Sequence, residues 1–213
     1  FPLGRGALTL SGSFHQGDGF IPVIAGQRGP ADRPAPYRQA SLAARMVTPL
    51  SAAAELQANL SAFTDSREHG TALSVIATTG ADASLRLVGR GRLPFSALAY
   101  VQVRDFSNSF VSLDEERTVA TRVLDQYSVP STGLGARFEL RPVTGATELR
   151  VGADWRETVG RTQELFLFAA GTPQRGRVAG VRTRTIGGFA ELGGERGSLD
   201  FSAGTRIDHW RIL

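Results

Sequence analysis

From Glu55 onward the chain alternates polar and apolar side chains one residue at a time. Glu55, Gln57, Asn59, Ser61 and Asp65 fall on one side, with Phe63 as the exception, while Leu56, Ala58, Leu60 and Ala62 fall on the other. A period of two is the geometry of an extended strand with one apolar and one polar face, and it is incompatible with the 3.6-residue period of a helix. The pattern returns along the chain. Ala136, Phe138 and Leu140 oppose Arg137, Glu139 and Arg141; Leu149, Val151, Ala153 and Trp155 oppose Glu148, Arg150, Gly152, Asp154 and Arg156.

The alternation predicts about nine strands, near residues 5–15, 37–48, 54–66, 84–93, 97–104, 132–141, 148–156, 183–192 and from 198 onward. Their connections alternate in length. Short reversals are expected at Pro49–Ala52, Pro94–Ser96, Pro142–Ala146 and Gly193–Gly197, and long loops at about 16–36, 67–82, 107–131 and 160–182. Eight Gly and Pro residues between Gly17 and Pro36 rule out a continuing strand there. Leu73–Ile76 reads as a short strand extension inside the second loop, and the third admits a short helix over 114–124. An all-β, antiparallel, up-and-down meander with turns short at one end and loops long at the other predicts part of a transmembrane β-barrel. Its apolar face would meet hydrocarbon and its charged face a wet interior. A soluble barrel or sandwich keeps most connections short. It would pack Leu56, Leu87 and Val151 at a dry centre and turn Arg86 and Arg150 to bulk water.

Composition narrows the function classes. The chain has 213 residues, enough for one all-β domain, and no cysteine, which excludes thiolate metal sites and cysteine nucleophiles. No run of 18 apolar residues exists, so no transmembrane helix is expected. Formal net charge is +4, and all 24 basic residues are Arg. They lie scattered beside acids rather than in a patch interleaved with aromatics, which speaks against a nucleic-acid partner. Residues 1–6 lack the charged-then-apolar design of a signal peptide. For an exported protein this implies that a leader has been removed or that the chain is an interior piece.

Enzyme chemistry finds little footing, and no cofactor is expected. His15, His69 and His209 are scattered, and the Glu68–His69 pair has no second pair at metal-ligand spacing. Gly89–Arg92 and Gly133–Ala136 are glycine-rich, but no helical pattern follows either, so both read as strand glycines rather than phosphate loops. The charges expected to face the lumen are Glu55, Asn59, Arg86, Arg90, Arg104, Arg137, Glu139, Arg150, Asp154, Arg206 and Asp208. They suit a solvated wall of cross-strand ion pairs that also seats a plug, or a lining that meets cargo in passage. Trp155, Trp210 and Tyr37, expected near strand ends, suit an interfacial girdle.

The stretch Asp18-Gly19-Phe20-Ile21-Pro22-Val23, followed by Gln27-Arg28-Gly29-Pro30-Ala31-Asp32, resembles the barrel portion of TonB-dependent outer-membrane receptors. There a strand ending in DGY/F-IP leads into a loop carrying QRG and an acid. Ala81–Leu87, Leu124–Pro130 and Gly188–Leu192 are similar in style. The resemblance implies a partial receptor barrel over residues 1–213, with the plug domain and the remaining strands absent. It implies energy-coupled uptake of a nutrient such as a ferric siderophore. The partners implied are outer-membrane lipid, the plug of the same full-length protein, the TonB energy-coupling protein acting through missing parts, and a small-molecule cargo. Gln27, Arg28 and Asp32 become a candidate extracellular-loop motif. Two other readings stay open: a passive outer-membrane pore or barrel enzyme, and a soluble small-molecule-binding β-barrel.

Overall fold

The structure, a computed structural model, describes residues 2–3, 5–144 and 147–213. Among them the chain forms a single antiparallel sheet. Nine long strands carry it: β2 (Gly6–Gly17), β3 (Tyr37–Ser51), β4 (Ala54–Glu68), β5 (Val75–Gly89), β6 (Phe95–Leu113), β7 (Ala120–Leu140), β9 (Thr147–Ala169), β10 (Thr172–Arg196) and β11 (Leu199–Ile212). Two two-residue strands, β1 (Pro2–Leu3) and β8 (Val143–Thr144), pair with β2 and β9. Every long strand pairs with the next in sequence, so the topology is the expected up-and-down meander.

The registers show what the alternation does. One hydrogen-bonded row runs Thr48, Leu56, Leu87, Ala97, Phe138, Ala153, Gly188, Ile207. The next residue on each strand belongs to the other face, in the row Gln57, Arg86, Leu98, Arg137, Asp154, Gly187, Asp208. The sheet therefore has an aliphatic face and a charged face, and nothing packs against the aliphatic one. Leu42, Leu60 and Leu85 are 65%, 60% and 57% exposed, and among the described residues the only buried apolar side chain is Ala31. Accessible surface totals 13912 Å², against roughly 9,500 Å² expected of a compact monomer of this mass. No dry centre gathers Leu56, Leu87 and Val151; all three are only partly covered.

The aliphatic stripe crosses the rows obliquely. Its last member before a polar or charged residue is Phe14 on β2 and Ile207 on β11. Phe14 lies in the row Ala40, Thr64, Thr79, Asp105, Pro130, whereas Ile207 lies in the row of Phe138. Pro130 and Phe138 stand eight residues apart on β7, and eight strand-to-strand steps separate β2 from β11. One residue of stagger per strand, about 3.3 Å along against about 4.8 Å across, tilts the stripe by about 35° to the row direction.

Several predicted boundaries are corrected. The loops expected at 107–131 and 160–182 are tall hairpins: β6 runs on to Leu113 and β7 starts at Ala120, while β9 and β10 meet at Ala170–Gly171. No helix forms over 114–124; residues 114–119 turn and 120–124 are strand. Polar and apolar residues are mixed on both faces of these extensions, so the period-two signal fades although the strands continue. The loop expected at 67–82 shrinks to residues 69–74, since Val75 already opens β5. The turn expected at Pro94–Ser96 lies at residues 90–94, with Phe95 opening β6, and the one expected at Gly193–Gly197 lies at Gly197–Ser198. Trp155 sits mid-strand in β9, not near its end, whereas Tyr37 opens β3 and Trp210 lies close to the end of β11. Gly145 and Ala146 of the Pro142–Ala146 reversal, and Phe1 and Gly4 of the N-terminal segment, lie outside the described residues.

Candidate functional site

The charged face is built from cross-strand neighbours. Glu55, Asn59, Arg86, Arg104, Arg137, Glu139, Arg150, Asp154, Arg206 and Asp208 all fall on it by register. Arg90, just past β5, reaches it by donating to the Glu55 carboxylate at 3.0 Å. The acids are taken up in clusters. Glu139, 5% exposed, is ringed by Arg137 at 2.9 Å, Arg141 at 2.6 Å and Arg150 at 3.1 Å. Asp154 pairs with Arg206 at 2.7 Å, and Arg206 also holds Asp208 at 2.5 Å. Asp82 binds Arg104 through both carboxylate oxygens, at 2.7 and 2.9 Å, and accepts a further bond from Gln102 at 3.0 Å. Asn59 donates to Ser84 at 3.3 Å and Arg86 to Ser96 at 2.9 Å.

A second device, unforeseen in the sequence, shapes this face. Four glycines of this face sit directly across from an aromatic residue: Gly17 from Tyr37, Gly80 from Phe63, Gly135 from Tyr100 and Gly152 from Phe189. In each pair the ring lies where the glycine's Cβ would stand; at Gly152 that Cβ would be 2.5 Å from both the Phe189 ring and the Phe138 carbonyl. Covering glycine backbone with a ring stabilises a strand pair that glycine alone weakens. The flattened rings then become platforms for guanidinium groups. Arg137 and Arg150 sit 4.7 and 5.5 Å from the Phe189 centroid, and Arg104 sits 5.1 Å from that of Phe63. Cation–π contact holds these arginines flat against the sheet while they bind their acids. Between the clusters lies an open trough of about 570 Å³, lined by small polar side chains including Thr9, Ser11, Ser61 and Ser84, with Arg45 at its edge.

At the loop end, three connections interlock. Residues 18–36 fold through the 3-10 turn Ala25–Gln27, and Arg28 donates to the Val23 carbonyl at 2.6 Å. Gln27 closes the turn with its backbone N–H on the Ile24 carbonyl at 2.9 Å. Asp32 is the centre. Its carboxylate accepts the Gly29 N–H at 2.9 Å and both arms of Arg117, at 2.8 and 2.5 Å, across 85 residues of sequence. Arg117 holds a left-handed backbone, φ 56°, in the turn after β6. There its N–H reaches the Asp114 carbonyl at 3.1 Å, and its own carbonyl accepts the Ala31 N–H at 2.9 Å. The 69–74 loop closes the knot: Asp32 bridges Thr71, and Arg33 donates to the Gly70 carbonyl at 2.9 Å. The bidentate Arg117 bond and the Gly29 N–H hold Asp32 well below the usual carboxylate range, at about 2. Of the predicted loop motif, Arg28 and Asp32 thus fix loop shape. Nothing in the sequence signalled Arg117 as the partner.

The three histidines are not brought together. His15 shares a row with Gln39 and Asp65 on the charged face, His209 one with Ile186 on the aliphatic face, and His69 lies in the 69–74 loop. Among the described residues no three His, Asp or Glu side chains are grouped to hold a metal ion.

No family model and no curated protein matches this sequence. Solved structures do. Pseudomonas aeruginosa FpvA in a ferric pyoverdine complex superposes with a TM-score of 0.79 at 9% identity, over 99% of this chain and 34% of that one. FpvAI bound to pyocin S2 gives the same values. The P. aeruginosa ferric enterobactin receptor PfeA superposes with a TM-score of 0.62 at 15% identity, over 98% of this chain and 35% of that one. The chain therefore has the fold of an outer-membrane receptor barrel wall. More narrowly, that fold is the barrel of TonB-dependent receptors, and the chain spans about a third of the length of the receptors it matches.

Two outcomes follow for the full-length protein. Gly152→Ala should lower the guanidinium unfolding midpoint in detergent, equivalent to about 1–3 kcal/mol, because the new Cβ would stand 2.5 Å from the Phe138 carbonyl, a backbone atom that cannot turn aside. Gly188→Ala, whose Cβ would meet only one carbonyl at 4.0 Å, should change it little. Asp32→Ala should raise amide exchange together in residues 20–33, 70–74 and 114–119, by about tenfold, since one cooperative unit opens. The pH dependence has a fixed sign. A folded pKa of about 2, lowered from an ordinary 3.8, stabilises the knot fully above about pH 4, and the benefit is lost as pH falls toward 2. Exchange in the three loops should be flat from neutrality to about pH 4 in this respect and rise together below it.

Proposed function

We propose that the chain is part of the barrel wall of a TonB-dependent receptor, which takes up a scarce nutrient such as a ferric siderophore across the outer membrane. The aliphatic face meets hydrocarbon. The charged face lines the lumen and seats a plug supplied by another part of the same protein, with energy delivered by TonB through parts outside this chain. The knotted loops and the two tall hairpins stand at the cell surface and contribute to cargo capture. The wall itself carries no catalysis.

The observation that carries this reading is the exposed aliphatic stripe and its slope. A soluble sheet of this size would have to cover Leu10, Leu42, Leu60, Leu85 and Ile186. A barrel strand crosses a bilayer at roughly 35–45°, so a horizontal hydrocarbon band must cut the hydrogen-bonded rows at that angle. The stripe does so, at about 35° from strand spacing and rise. The same reading explains why the charged face is saturated with ion pairs: a plugged lumen is wet but crowded, and paired arginines keep a smooth wall.

Spin labels on the full-length protein in lipid test it. Labels replacing Leu60 and Leu85 should collide with dissolved oxygen, and labels replacing Ser61 and Ser84 with a water-soluble nickel chelate; the reverse pattern, or water access on both faces, would sink the reading. Leu60→Arg should cost about 2–4 kcal/mol of folding stability in lipid and Ser61→Arg far less. Cells lacking the protein should grow poorly on at least one ferric siderophore as sole iron source. Steady ion conductance by the purified full-length protein would instead indicate an open pore.

A further inference from the structure

Above the stripe on the aliphatic face, the strands at the β9–β11 side change character abruptly. Trp155 and Ile186 share the last apolar row there, with His209. The next row on the same face is Glu157, Arg184, Arg211, and the one above holds Val159 with Arg182. One row further, Arg161 lies opposite Gly180, and its Cβ is 3.2 Å from where a Gly180 Cβ would stand. Four arginines and one acid thus share this corner of the face, a formal excess of three positive charges, and two of the arginines hold the acid. The acid is deeply covered: the Glu157 side chain is 9% exposed and is held by Arg184 at 2.6 Å and Arg182 at 3.3 Å. Those two arginine side chains remain about half exposed, at 48% and 49%. Arg161 and Arg211 are exposed as well, and among the described residues neither meets a carboxylate. Asp105 on β6, another acid on this face, is engaged by the Ser128 hydroxyl at 3.0 Å and the Val129 N–H at 3.0 Å.

We infer that Arg161, Arg182, Arg184 and Arg211 bind the phosphate of a lipid headgroup in the leaflet beside the loop end of the sheet. This rests on the membrane reading above. The charges stand on the lipid-facing side, yet only one to three rows beyond the row of Trp155 and Ile186, where the face stops being uniformly apolar; that is headgroup depth rather than hydrocarbon. An uncompensated guanidinium is costly within hydrocarbon and favourable at an anionic interface. Glu157 splints Arg182 and Arg184 side by side without neutralising the group. The planar fork of arginine suits phosphate oxygens in a bidentate arrangement. A solvated surface cluster would have no need to sit along the edge of the apolar stripe, nor to bury its one acid beneath it.

The test uses full-length protein in neutral maltoside micelles doped with lipid A, a phosphorylated glycolipid, or with its dephosphorylated form, and counts retained lipid by native mass spectrometry. The wild type should retain the phosphorylated form and not the dephosphorylated one, and inorganic phosphate should not displace it. Arg161→Gln with Arg211→Gln, which breaks no ion pair, should reduce retention by about tenfold; adding Arg184→Gln should reduce it further, while Arg86→Gln with Arg104→Gln on the opposite face should not. Equal retention by the Arg161/Arg211 variant, equal retention of the two lipid forms, or displacement by inorganic phosphate would overturn the inference. A spin label replacing Ile186 separates the two levels. If it meets oxygen while lipid retention is unchanged by the variants, the headgroup site fails and the barrel reading stands; if it meets only the aqueous chelate, both fail.

Discussion

Main-chain pairing between neighbouring strands holds this molecule together. A compact domain of this size would shelter dozens of apolar side chains, and here one alanine in a loop is the only buried one among the described residues. The sheet instead satisfies its N–H and C=O groups strand by strand through registers that run unbroken over most of their length, β9 with β10 above all. Backbone polarity removed in this way is what a lipid environment requires, because hydrocarbon offers those groups no other partner. The side chains then take what each face allows, aliphatic where nothing covers them and paired charges where water and a neighbouring surface are expected.

That division explains how much could be read in advance. Where one face is aliphatic and the other polar, alternation located strands closely: β3 was expected to begin at 37 and β4 at 54, and both do. Beyond the stripe the signal vanishes. Arg161-Thr162-Gln163-Glu164 and Gln174-Arg175-Gly176-Arg177 present polar groups to both sides, so a strand pair there has the composition of a loop. The turn joining that pair, Ala170–Gly171, uses left-handed backbone at φ 47° and 79° without the Asn-Gly signal that marks such turns. Pro130 lies within β7 although it cannot donate to a ladder. The structure accommodates it beside a register shift near Gln126–Ser128, with Asp105 taking up the adjacent Val129 N–H.

The charged face was legible in which residues it contains and illegible in how they are held. Alternation assigns Glu139, Arg137 and Arg150 to one side, but only the register puts Gly152 opposite both Glu139 and Phe189. That glycine lets the ring lie down, and the ring in turn orients two of the arginines that surround Glu139. A glycine inside a strand usually reads as a weakness or a bend. Here its missing side chain is the space on which the electrostatics of the wall are built. Long-range pairing hid the loop knot in the same way, because Asp32 and Arg117 are neighbours only once β2 through β6 have zipped in order.

The two ends of the aliphatic stripe thus bear different kinds of order. On the β2–β6 side the connections beyond it are tied by the buried Asp32 into one body spanning three loops. On the β9–β10 side no such knot is needed, because the strands themselves continue for many residues past the stripe with their ladder intact. Rigidity at the loop end therefore comes from a single charge-assisted cluster on one side and from backbone hydrogen bonds on the other. A cargo-capturing mouth built this way would have one flank that opens cooperatively when a single contact is lost. The other would fray only from its tip, because each rung of a ladder is protected by those below it.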